Sequence, residues 1–138
     1  MSDNTNIELA RRTIAAFEAG DDSVVDELIH AEHRDHVATD GRSGREGVRG
    51  SIAWVNDTFA DRELVVEDLI ASGDRVVARL RFSATHVGEL DGIAPTGRRF
   101  EADHVHIWRV ADGRLAEHWM LRDDLSTMRQ LGVFERAV

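Results

Sequence analysis

Cysteine, tyrosine and lysine are absent from this chain, and proline occurs once. The missing cysteine excludes thiol nucleophiles, disulfides and thiolate metal sites; the missing lysine excludes Schiff bases; the missing tyrosine removes every phenolic hydroxyl. An acid–base catalyst built from what remains must use Asp, Glu or His. Long apolar runs are also lacking: none approaches the ~20 residues that a membrane-spanning helix requires. The opening MSDNTNIELARR has no apolar stretch of the signal-peptide kind, so a cytoplasmic location is expected. Positive charge is scarce. Acidic residues number 26 against 17 basic ones, all arginine, for a net charge of −9. Nucleic acid and anionic membrane are therefore poor partners, because both are recognised through clustered positive charge. At 138 residues the chain suits one domain over 1–138, with one core and one main site.

What is present reads as helices followed by strands. Thr5 and Glu8 form a T-x-x-E box, and Ile7, Ala10, Ile14 and Phe17 follow at helical spacing, predicting a helix from about Asn6 to Ala19 closed by Gly20. Asp22 is positioned to cap a short helix with Val25, Leu28 and Ile29 inward. A polar loop then leads to Ser43, which with Glu46 makes a second capping box before Val48, Ile52, Val55 and Phe59. Beyond Asp61 the period becomes extended, over Leu64–Ala71, Arg75–Thr85, Arg99–Val110 and Leu115–Arg122, with turn residues at Ser72-Gly73-Asp74 and Asp112-Gly113. Asp124 or Ser126 opens a last helix that ends at Gly132. The expected class is α+β, with helices on one face of a curved sheet of four strands in antiparallel hairpins.

The last hairpin concentrates the chemistry. With Asp112-Gly113 as a two-residue loop, paired positions sum to 225, so Trp108 faces Glu117, His106 faces Trp119, His104 faces Leu121 and Ala102 faces Asp123. Strand alternation then puts His104, His106, Trp108, Glu117, Trp119, Leu121 and Asp123 on one face, apolar apart from its carboxylates and two imidazoles. A carboxyl among aromatic groups has its pKa raised by desolvation and lowered by a charged imidazole, which suits proton transfer at carbon in a hydrophobic ligand. Asp123 also precedes a predicted helix, where Asp serves as an N-cap, and both readings stand on spacing alone. His30, His33 and His36 would line one side of a helix, but metal binding is not expected of them. Arg79 and Arg81, opposite Leu80 and Phe82, point to solvent or a subunit interface.

Taken in order, Ala84-Thr85-His86-Val87-Gly88, Ala94-Pro95-Thr96-Gly97-Arg98, Asp112-Gly113-Arg114, Glu117-His118-Trp119, Asp123 and Gln130-Leu131-Gly132 resemble the SnoaL-like polyketide cyclase (ester cyclase) family of the nuclear transport factor 2-like superfamily. Phe59-Ala60-Asp61 is similar to the family's FPD element with Ala for Pro. The resemblance implies a cone-shaped barrel of helices and curved sheet around one apolar pocket, a homodimer or homotetramer, and intramolecular aldol ring closure of a hydrophobic polyketide ester without metal or cofactor. It implies Asp123 as general acid/base and His36 as a pocket histidine ahead of Gly44-Arg45-Glu46-Gly47. His104 is chosen over His106 as the hairpin histidine. Trp54, Trp108 and Trp119 are expected as pocket walls. Asn56 is the candidate for the family's pocket asparagine, although Trp54 lies nearer that position. A different class of function fits the same fold: a non-catalytic protein that binds or carries a hydrophobic small molecule. Epoxide hydrolysis is disfavoured, because that chemistry uses a tyrosine to hold water.

Overall fold

The computed structural model describes residues 2–37 and 43–135. In chain order these form α1 (Asp3–Ala19), α2 (Val25–Leu28), β1 (Ile29–Asp35), α3 (Gly44–Thr58), β2 (Phe59–Ser72), β3 (Arg75–His86), β4 (Arg99–Ala111), β5 (Arg114–Arg122) and α4 (Asp124–Gln130). The strands make one mixed sheet in the order β1-β5-β4-β3-β2, antiparallel except for the parallel β1–β5 pair. The class is α+β, as the sequence indicates.

Local chemistry explains most boundaries. Ser2 caps α1 by accepting the Thr5 N–H, three residues before the expected Thr5 cap, and Gly20 ends the helix at φ +71°. In α2, Val25 and Leu28 are buried as expected, but Asp22 is not the cap, because Val24 stands at that position without a side-chain bond. Ser43 likewise makes no side-chain cap on α3; Glu46 pairs with Arg49 instead. Asp112 at φ +53° and Gly113 at φ +74° are both left-handed, as a two-residue hairpin turn of this hand requires.

The expectation of four strands is corrected by β1, which occupies what reads as a polar loop. Its sequence IHAEHRD carries few apolar residues and lies at the sheet edge, yet buries Ile29 and His33 through strand alternation. The core sits between the sheet and α1 to α3, where Ala10, Leu28, Leu80 and Leu115 are at most 1% exposed. Burying a leucine side chain supplies about 1.5–3 kcal/mol relative to leaving it in water. No described helix is long and apolar enough to cross a membrane.

Candidate active site

One feature of β5 decides which side chains reach the interior. Val110 pairs with Leu115, in the expected register, but Arg109 pairs with Glu117, leaving Ala116 as an extra residue on β5. Leu115 and Ala116 are both buried there. Past this bulge the pairing sum is 226: Trp108 faces His118, His106 faces Met120 and His104 faces Arg122. A one-residue slip exchanges the two faces of a strand. His118, Met120 and Arg122 therefore point inward, whereas Glu117, Trp119 and Leu121 point to the outer face.

The outer set is consistent with its chemistry. Glu117 accepts from Arg109 at 2.6 Å and contacts His36 at 2.8 Å, and these two hydrogen bonds, His36 first, hold its carboxyl down to about 2. Trp119 stacks on His36 at 4.8 Å and lies under the Arg75 guanidinium. Leu121 is 79% exposed. His36, Trp119 and Leu121, expected in the pocket, thus lie outside it.

Inside, a cavity of about 350 Å³ lies between the sheet and α1, α3 and α4, within the range of small-molecule sites. Its walls include Phe17, Trp54, Phe59, Phe82, Phe100 and Trp108, and its polar groups include His33, Asp35, His104, His106, His118 and Arg122. His104, His106, Trp54 and Trp108 are where the sequence puts them. His33, Asp35, His118 and Met120 were not singled out for this site. Reading IHAEHRD as a strand would have found the first two, because alternation sends His33 and Asp35 inward and His30 and His36 outward.

Asp123 is not among the cavity-lining residues, although its neighbours Arg122 and Asp124 are. It is exposed, it caps α4 by accepting the Ser126 N–H at 3.0 Å, and its own N–H bonds the Asp103 carbonyl. The expected juxtaposition with Ala102 and His104 is corrected by the bulge: β5 ends at Arg122 as expected, but the shifted register sets Asp123 beside Asp103, where the chain leaves the sheet. Asn56 is also placed elsewhere. It is exposed, donates to the Gly20 carbonyl at 3.2 Å and accepts from Arg62 at 2.6 Å, tying the end of α1 to α3.

The His33, His104 and His106 imidazoles are kept uncharged. Burial, the largest cause in each case, pushes His33 and His104 down to about 4 and His106 well below the ordinary value, with neighbouring positive groups adding to it. Asp35 behaves oppositely. Burial works to raise its pKa, but the hydrogen bond and charge of His118 and the Val37 N–H outweigh it, and the net direction is down. An ionised carboxylate hydrogen-bonded to one imidazole, with the neutral His33, His104 and His106 on the same apolar cavity, is equipped to take and return a proton. Among the described residues no group of His, Asp and Glu is arranged to hold a metal ion.

A family model for SnoaL-like polyketide cyclases matches residues 7–131. The chain belongs to this family. This SnoaL-like chain is 33% identical over 133 residues to the aklanonic acid methyl ester cyclase DnrD of Streptomyces peucetius, covering 94% of this chain and 92% of that one. It is 34% identical over 122 residues to the nogalonic acid methyl ester cyclase of Streptomyces nogalater, covering 86% and 91%. Its fold matches TsrD from Streptomyces laurentii with a TM-score of 0.91 and 34% identity, over 97% of this chain and 99% of that chain. Its relatives among characterised proteins are thus polyketide cyclases.

Proposed function

We propose that the chain is a polyketide cyclase that closes a ring by intramolecular aldol condensation, or a related proton transfer, on the methyl ester of a hydrophobic polyketide acid of the aklanonic or nogalonic type. The observation that carries this reading is the set of neutral imidazoles on the wall of an apolar cavity, in a chain whose relatives are ester cyclases. A C–H flanked by carbonyls is acidic because its conjugate base is delocalised. The substrate then supplies the electronic stabilisation, and the reaction needs a base, an acid and a fixed geometry, without metal or cofactor. In this account His106 removes the proton and later returns it, and His104, beside Phe82 and Arg122, holds the developing alkoxide by a hydrogen bond. The aromatic walls hold the chain folded and exclude water. The outer sheet face, with exposed Val65, Ile70, Val105 and Leu121, is the surface we assign to a homodimer or homotetramer.

A second assignment of the acid/base has its own support. Asp123 stands where the family pattern has its catalytic Asp, and both its chain neighbours line the cavity. In that assignment the carboxylate turns from the Ser126 N–H into the cavity mouth. Asp123→Asn separates the two, because Asn is as good an N-cap as Asp but cannot carry a proton. Purified protein is given aklanonic acid methyl ester, and ring-closed isomer is followed by chromatography. Turnover by wild type with retained turnover by Asp123→Asn supports the imidazole account. Loss of turnover in a folded Asp123→Asn protein moves the role to Asp123. No turnover by wild type, with the ester bound and recovered unchanged, favours a carrier of hydrophobic molecules.

A further inference from the structure

We propose that Asp35 and His118 form a proton relay behind His106, so that the charge created by substrate deprotonation is held one residue deeper, beside a carboxylate. The proposal rests on the reading of the cavity as a cyclase site and names positioning residues for it.

The geometry is a chain of three side chains from three adjacent strands. Asp35 ends β1 and pairs in parallel with His118 of β5, and its Oδ1 lies 3.2 Å from His118 Nδ1. His118 Nε2 lies 2.8 Å from His106 Nδ1 on β4. The two ring centroids are 5.1 Å apart with planes 18° from parallel. That separation is what a 2.8 Å nitrogen contact plus the radius of each ring produces, so the rings lie edge to edge, as an in-plane N–H···N bond requires, and not face to face. The Val37 N–H, at 2.9 Å from the same Oδ1, fixes the carboxylate.

The proposed resting relay has one proton placement. An ionised Asp35 only accepts, so His118 Nδ1 carries a hydrogen. In the relay His118 Nε2 accepts, and the hydrogen between the rings belongs to His106 Nδ1. Neutral His106 is in turn bare at Nε2, its remaining ring nitrogen, on a residue that lines the cavity. The resting relay presents a base to the ligand.

The step balances as follows. The substrate C–H bond breaks and its proton goes to His106 Nε2, leaving the electron pair as an enolate. The Nδ1 proton of His106 moves to His118 Nε2, giving a His118 imidazolium beside the Asp35 carboxylate and a neutral His106 that is protonated at Nε2. The enolate carbon bonds the second carbonyl carbon, whose oxygen becomes an alkoxide. The alkoxide takes the His106 Nε2 proton, and the His118 Nε2 proton returns to His106 Nδ1. One C–C and one O–H bond replace the C–H bond and the π bond of the second carbonyl, and the relay is restored.

The surroundings explain why the charge moves. His106 is packed against Trp108, with His104 and Arg122 as its other charged or titratable neighbours, and an imidazolium there meets only apolar or positive groups. At His118 it meets Asp35. His33 on β1 lies beside the pair as a neutral ring, α1 and α3 contribute the uncharged Thr13 and Ser51, and His36 and Glu117 lie on the far face of the same strands.

The test is Asp35→Asn in the full chain, with two readouts. The kcat against pH profile is expected to fall about tenfold or more at its plateau with KM within about twofold, and its acidic limb to move to lower pH because the imidazolium has lost its counter-ion. Asp35→Glu should restore part of the rate, and His118→Gln should match Asp35→Asn. Independently of any substrate, 15N imidazole spectra of wild type should report hydrogen on Nδ1 of both His118 and His106, a pattern lost in Asp35→Asn. An Nε2–H on either ring in wild type, or an Asp35→Asn protein with unchanged rate and limb, overturns the relay. If wild type does not turn over the ester, the function fails while the wild-type tautomers still judge the relay. If Asp35→Asn does not fold, those tautomers and His118→Gln decide.

Discussion

Mild acid should weaken this fold before any carboxylate titrates, and the cavity histidines set the amount. His33 is 3% exposed, and burial holds both it and His104 near a pKa of about 4, against roughly 6.5 in an unfolded chain. Between those values the unfolded state binds more protons than the folded state, so stability falls as the pH falls from 6.5 towards 4 and is unaffected by these groups above that window. At pH 5.5 each ring is about nine-tenths charged when unfolded and almost uncharged when folded, which removes about 1 kcal/mol per histidine relative to pH 7, or about 2 for the pair. His106 acts in the same direction. Urea unfolding followed by fluorescence of the three tryptophans, at pH 7 and 5.5, measures the drop directly. His33→Leu should shrink the difference between the two pH values by about 1 kcal/mol, whatever it does to stability at pH 7. Equal wild-type stability at both pH values, or an undiminished difference in His33→Leu, would refute the claim that these rings are buried uncharged.

Deleting Ala116 removes the extra residue and leaves Leu115 opposite Val110 and Glu117 opposite Arg109 in a regular ladder, so His118, Met120 and Arg122 should keep their inward face and a folded deletion should still bind the ester; loss of binding from a folded deletion would show that the inward face of β5 depends on the bulge itself. Asp123→Ala should cost about 1 kcal/mol in urea midpoint analysis through the lost cap, with Asp123→Asn close to wild type. Gly88→Ala places a Cβ 2.2 Å from the Asp57 carbonyl oxygen and 2.9 Å from Thr58 Cα, both backbone, so its thermal midpoint should fall, by about 1–3 kcal/mol equivalent. Leu28→Ala, at a residue 1% exposed, should cost about 2–5 kcal/mol by the same assay.

Much of this architecture is written locally. Gly20, Gly73, Asp112-Gly113 and the apolar spacing of Ala10 to Phe17 and Val48 to Val55 are short-range signals, and helices and hairpins depend on short-range chemistry. The β1 strand is not local, because its parallel partner is some eighty residues away and nothing within IHAEHRD announces that pairing. The bulge was legible only in part. Two successive apolar residues, Leu115 and Ala116, precede Glu117, and only the shifted register sets Glu117 opposite Arg109 as a cross-strand ion pair. Counting from the turn alone hides that signal, and everything beyond it inherits the slip. For this reason the count from the turn puts Trp108, His104 and His106 of β4 on the inward face, where they lie, but sends Trp119, Leu121 and Asp123 inward and His118, quoted only within the Glu117-His118-Trp119 motif, outward.

The central claim is that an imidazole inside the cavity exchanges a proton with a bound polyketide ester. Turnover of aklanonic acid methyl ester by His106→Gln, compared with wild type at matched occupancy, addresses it most directly. A fall in kcat of about 10²-fold or more with binding retained is the predicted result. A folded His106→Gln protein that closes the ring at the wild-type rate would contradict it.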